Sequence, residues 1–213
     1  MPKIKTILFD LDGTLIQTTG IILSTFRETF SKFFPHLTIS DEDMTVFLGQ
    51  TLFTTFGFYA DSEDQVNEII KYYREESNKK IEKGLKAYPK AIETLSYFKK
   101  KGLSVGVVTS KMREIAIYHL DITGLLPFID GLIGFEDSKE HKPSPEPILN
   151  ALALFEANRE STIYIGDHEN DMISAKKAGV LTCAVTYSHR VSALLAEQPD
   201  FVIDQLDQLK HLI

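Results

Sequence analysis

The chain has no tryptophan and one cysteine, Cys183. One thiol cannot close an internal disulfide. Flanked by Leu181, Thr182, Ala184 and Val185, it reads as a buried structural thiol rather than a reactive one. No apolar run approaches the roughly 20 residues that cross a bilayer, so no membrane partner is expected. Positive charge is also short: 23 Lys and Arg stand against 30 Asp and Glu, a net charge of −7. That sign argues against nucleic acid as the main partner. It leaves room for a small anionic substrate, because a metal and a few donors can reverse the field inside one cleft. Internal repeats, low-complexity stretches and a leader-like start are missing too, and the expected location is cytoplasmic.

What is present is an alternation. Short β-prone runs fall at 6–9, 103–109, 131–134, 162–166, 181–185 and 201–203, and helix-length amphipathic segments at 90–101, 111–121, 145–157, 169–178 and 189–197. Strands alternating with helices of this length predict an α/β fold, a Rossmann-like parallel sheet with helices on both faces. Ser144 and Pro145 look like an N-cap followed by proline at the first helical position. Lys99, Lys100 and Lys101 suit a solvated helix end before Gly102. At 213 residues the chain is one large domain or a core with a smaller insertion, and it can bury roughly 70% of its unfolded surface. The interval 16–83 breaks the alternation with helix-like segments near 20–34, 41–48, 51–58 and 63–82. Ser62 and Gln65 suggest a capping box for the last. The expected division is a core of 1–15 with 84–213 and a helical insertion at 16–83. That insertion is either a cap over the strand ends or a flank packed elsewhere.

Four places carry candidate chemistry. The first apolar run, Ile7, Leu8 and Phe9, leads into Asp10 and Asp12, with Gly13 turning the chain. On an extended backbone the i, i+2 spacing puts both acids on one side, at the strand end where open α/β sheets bind ligands. Carboxylates that close repel, and a cation would compensate; the other reading is an Asp-Gly turn. Thr109 and Ser110 end the second core run. They offer hydroxyls and backbone N–H groups to an anion, or an N-cap to the helix expected near Lys111. Lys142 precedes Pro143, Pro145 and Pro147, a rigid approach that could aim one ammonium into a cleft or leave it solvated. Asp167 and Asp171 follow the fourth run. Their oxygens suit Mg²⁺, unless Asp171 caps the next helix. His168 and Glu169 read as loop residues.

The set Asp10, Asp12, Gly13, Thr14, then Thr109, then Lys142–Pro143, then Asp167 with Asp171 resembles the four signatures of the haloacid dehalogenase superfamily, in order and over essentially the whole chain. The resemblance implies that Asp10 is the nucleophile and that Asp12 protonates the leaving group and then activates water. It implies that Thr109 holds the phosphoryl group with help from Ser110, and that Lys142 neutralises its oxygens. A Mg²⁺ ion would be held by the Asp10 side chain, the Asp12 backbone carbonyl and Asp167, with Asp171 on a metal water or on Lys142. It also favours the cap reading of the insertion.

The family's dehalogenases lack the second Asp and need no metal, so Asp12 and the acidic fourth motif point to phosphoryl transfer: a Mg²⁺-dependent phosphohydrolase working through an aspartyl-phosphate. The β-phosphoglucomutases carry a His and an Arg where this chain aligns Ile22 and Leu52, against a mutase. Segments 47–52, 71–74 and 108–114 are similar to the bacterial pyrophosphatases within the family, and the first also to phosphoglycolate phosphatases. Inorganic pyrophosphate is the expected substrate, with phosphoglycolate or another small phosphomonoester as the alternative. Gln50 and Thr51 are the expected cap contacts, or else a hinge turn; Arg74 is a further candidate, and Lys111 and Arg113 are cations without an assigned use. A catalytically idle member that binds a partner protein is the remaining class, disfavoured because all the acids are present. Monomer and homodimer both stay open.

Overall fold

The computed structural model describes residues 3–48 and 50–213. The chain divides into two compact units, 1–17 with 86–213, and 18–85.

In chain order the α/β unit begins with β1 (Thr6–Phe9). The second unit supplies α1 (Thr19–Phe33), α2 (Asp41–Val46), α3 (Leu52–Gly57) and α4 (Glu63–Gly84). The α/β unit then resumes with α5 (Ala91–Lys100), β2 (Ser104–Val108), α6 (Arg113–Ile122), β3 (Gly131–Ile133), α7 (Glu146–Leu154), β4 (Thr162–Gly166), α8 (Glu169–Ala178), β5 (Leu181–Val185), α9 (Val191–Ala196), β6 (Phe201–Ile203) and α10 (Leu209–Leu212). Its sheet has the order β3-β2-β1-β4-β5-β6, and every pairing is parallel. Both faces of such a sheet are covered, which is why the central strands read as unbroken apolar runs. Ile7, Leu8, Phe9, Val105, Val107, Val108, Ile163, Tyr164 and Ile165 are all buried. Strand order reverses on either side of β1. Ligands bind such sheets at that switch point, beyond the carboxyl ends of the strands.

The boundary between the units lies at 17/18 and 85/86 rather than at 15/16 and 83/84, because Ile16 and Gln17 are tied into the α/β unit. Ile16 bridges Ala87, the Gln17 N–H donates to the Lys86 carbonyl at 2.9 Å, and Gln17 Nε2 donates to Ala87 O at 2.9 Å.

The helical unit has its own core of Phe26, Phe30, Phe34, Met44, Phe47, Phe56, Val66, Ile69 and Tyr73. Phe26, Phe30 and Phe34 recur every four residues, the spacing that lines one helix face. Two caps differ from the expectation. The Ser62 hydroxyl does accept the Gln65 N–H at 3.3 Å, but the Gln65 side chain reaches one residue further back, accepting the Asp61 N–H at 2.6 Å. At α7 the Ser144 hydroxyl accepts the Glu146 N–H at 3.3 Å, and Pro145 stands one residue before the first helical position.

Candidate active site

Register sets the level of the acids. Phe9 pairs with Val107 on one side and Ile165 on the other, and the Asp10 N–H donates to Ile165 O at 2.8 Å. Asp10 therefore leaves β1 beside the ends of β2 and β4, with Thr109 and Asp167 following those strands. Carboxylate oxygens of Asp10, Asp167 and Asp171 lie within 4.8 Å of one another. Two glycines permit this crowding. Gly13 sits at φ +83°, and a Cβ there would fall 2.2 Å from an Asp167 oxygen. A Cβ on Gly166 would fall 2.5 Å from the Asp171 side chain.

Lys142 stands among these acids, its side chain 7% exposed. Its ammonium donates to Asp10 Oδ1 and Asp171 Oδ1, each at 2.6 Å, and to the Tyr164 hydroxyl at 3.0 Å. Tyr164, fully buried in β4, donates in turn to Val108 O at 3.0 Å. Asp171 serves twice. One oxygen takes Lys142 and the other accepts the His168 N–H at 3.1 Å, completing a capping box on α8. Asp171 thus caps α8 and binds Lys142 at once. Of the two expected loop residues, Glu169 is the first residue of α8, whereas His168 stays outside the helix with an extended backbone. His168 Nδ1 accepts the Asn170 N–H at 3.1 Å as the N-cap, and Glu169 opens α8 while accepting from the Arg190 guanidinium at 2.9 and 3.1 Å.

Three carboxylates face one ammonium here, which leaves negative charge uncompensated. Burial pushes the Asp10 carboxyl up to about 7; Lys142 opposes the rise, and Asp171 and Asp12 add to it. Asp167 is raised well above the ordinary range by burial first and then by Asp10 and Asp171. An all-oxygen donor set with this charge fits a hard divalent cation, and the cluster could hold one. The Thr14 hydroxyl donates to Asp167 Oδ1 at 3.2 Å, and the Ser188 hydroxyl donates to the Asp167 carbonyl at 2.5 Å, so Asp167 is held from two sides.

Thr109 is buried, and its hydroxyl accepts the Lys111 N–H at 3.2 Å. The following helix starts only at Arg113, so neither Thr109 nor the exposed Ser110 is its N-cap. Asp12 turns to another cation: Lys111 Nζ donates to its Oδ1 at 2.7 Å. Arg113 clamps β3, donating to Leu132 O at 2.7 Å and Asp137 Oδ2 at 2.6 Å. Lys99, expected to be solvated, pairs with Asp130. In the helical unit the exposed Gln50 accepts from the Thr55 hydroxyl at 3.4 Å. Thr51 is the N-cap of α3, accepting the Thr54 N–H at 3.1 Å. Arg74 lies exposed on α4. Gly49, part of the same loop motif, lies outside the described residues. Sequence reasoning passed over Tyr164 and His119. The available signal for Tyr164 was a phenol between two isoleucines in a central strand.

A parallel sheet of this order, with clustered aspartates at its switch point and a buried lysine among them, defines an aspartate-centred α/β hydrolase. Residues 7–185 match the family model for haloacid dehalogenase-like hydrolases, and the chain belongs to that family; within it, it is a phosphatase. It is 36% identical over 212 residues to pyrophosphatase PpaX of Bacillus cereus strain G9842, covering 99% of this chain and 97% of that one. The solved haloacid dehalogenase-like hydrolase from Streptococcus pneumoniae superposes with a TM-score of 0.82 at 26% identity, covering 100% of this chain and 99% of that one. A structure described as a predicted phosphoglycolate phosphatase from Haemophilus somnus has a TM-score of 0.88 at 21% identity, over 100% and 99% of the two chains; it shares the fold. Among the described residues no helix is long and apolar enough to cross a membrane.

Proposed function

We propose that this protein hydrolyses inorganic pyrophosphate in the cytoplasm through a covalent intermediate on Asp10. The observation that carries the reading is the Asp10 carboxylate itself, buried at the end of β1 and bonded to the equally buried Lys142. One Asp10 oxygen attacks phosphorus while the leaving phosphate takes its proton from Asp12. Water then attacks the aspartyl-phosphate, with Asp12 now the base, and Asp10 is regenerated. Lys142 donates to the equatorial oxygens, and Thr109 and Ser110 orient the transferring group, since phosphoryl transfer is governed by positioning and charge. Asp10, Asp167 and the Asp12 backbone carbonyl would hold Mg²⁺, with Asp171 beyond them. The ion would supply positive charge against the phosphoryl oxygens. The 18–85 unit acts as the cap, and Gln50, Thr51 and more weakly Arg74 provide the contacts that choose the substrate.

Support for pyrophosphate comes from the relatives bearing that name at 36% identity over nearly the full chain. The second reading, a phosphoglycolate phosphatase, is favoured by the similarity of segment 47–52 to that subfamily. Phosphate release from pyrophosphate, phosphoglycolate and glucose 1-phosphate separates them. Pyrophosphate should turn over fastest, chelation should silence the enzyme, and Mg²⁺ should restore it. Preference for a phosphomonoester would overturn the substrate, and full activity after exhaustive chelation would overturn the metal.

A further inference from the structure

The chemistry above leaves one buried polar group without a task. His119 is 2% exposed, set on the inner face of α6 beside the buried Ala116 and Leu120. Its Nδ1 lies 3.2 Å from Lys111 Nζ, the same ammonium that donates to Asp12 at 2.7 Å. An ammonium only donates, so Nδ1 is the acceptor and the ring proton sits on Nε2. Burial, and Lys111 after it, hold the imidazole down to about 4, which keeps that acceptor available at neutral pH. A lysine on its flexible four-carbon stem is poorly fixed by one partner. Two acceptors on different elements fix it.

We propose that His119 is a positioning residue, a neutral acceptor that holds the Lys111 ammonium in place and through it fixes the Asp12 carboxylate that gives the leaving group its proton. The inference rests on the reading of Asp10 as nucleophile and Asp12 as proton donor. A side chain that merely filled the core would affect stability, and activity on every substrate alike. A residue that aims the acid matters most when the leaving group needs a proton. In the folded full-length enzyme, His119→Leu should lower kcat/KM for phenyl phosphate by about tenfold and for p-nitrophenyl phosphate by less than about twofold. His119→Asn, whose carbonyl can accept near the Nδ1 position, should restore most of the loss. Should His119→Leu not fold, Lys111→Met must show the same leaving-group bias. Equal losses on the two esters, or no loss, would overturn the inference. Asp12→Asn serves as the reference. If it shows the bias and His119→Leu does not, only this inference fails; if it shows none, the mechanism beneath fails as well.

Discussion

The two units solve the problem of burial in opposite ways. The helical unit packs rings on rings: Phe30 alone has Phe34, Phe47, Phe56 and Tyr59 at centroid distances of 5.0 to 5.7 Å. Two of its ion pairs, Lys79–Glu76 and Lys80–Glu28, lie at the surface, where such pairs contribute little. The α/β unit instead buries Lys142, Asp10 and Asp171 together. Replacing such a buried group by a hydrophobe often costs nothing or stabilises, whereas removing one partner is expensive. A fold needing only stability has no use for this arrangement, which is why the proposed chemistry is assigned to the buried charges and not to the aromatic core.

The sharpest break in that contrast is Asp10→Asn. Its amide keeps the shape and cannot serve as the nucleophile, so phosphate release should fall by about 10³-fold or more; the melting temperature should hold, because Asp171 still pairs Lys142 and one of the crowded carboxylates is gone. Residual turnover of more than a few per cent would sink the assignment. In the other unit, Phe30→Ala should cost about 3–5 kcal/mol in urea unfolding followed by circular dichroism. That loss should fall on the unfolding of residues 18–85 and leave β-sheet unfolding little changed; a single shared shift would show that the units unfold together.

The third effect is a pH dependence confined to the α/β unit. The His119 pKa is about 4 in the folded protein against an ordinary 6.5. Between those values the unfolded chain binds the extra proton, so the stability that His119 contributes is full above about pH 6.5 and falls as the pH drops toward 4. The loss should be about 3 kcal/mol, and His119→Asn should flatten that part of the profile. An unchanged slope in the variant would assign it to other groups. Smallest is the effect of Gln50→Ala or Thr51→Ala. Either should change kcat/KM on pyrophosphate by about tenfold, near 1.4 kcal/mol, with much less change on p-nitrophenyl phosphate. Equal change on both substrates would make 50–51 a hinge rather than a contact.

Much of this molecule can be read in one dimension because a buried parallel strand has to be apolar on both faces. The run at 6–9 and its counterparts announce themselves, and the first polar residue after each marks a strand end. That much, together with the helix periods and the aromatic spacing of α1, follows from the sequence alone. Strand order does not, and on it depends which strand ends meet. Lys142 comes from a loop 132 residues after Asp10, and only the β1–β4 neighbourhood brings it between Asp10 and Asp171. The partners of Tyr164, Lys111 and His119 are likewise set by folding. Periodicity tells which side chains are buried, but the group that satisfies a buried hydroxyl, ammonium or imidazole usually belongs to another element, and sequence spacing carries no record of that distance.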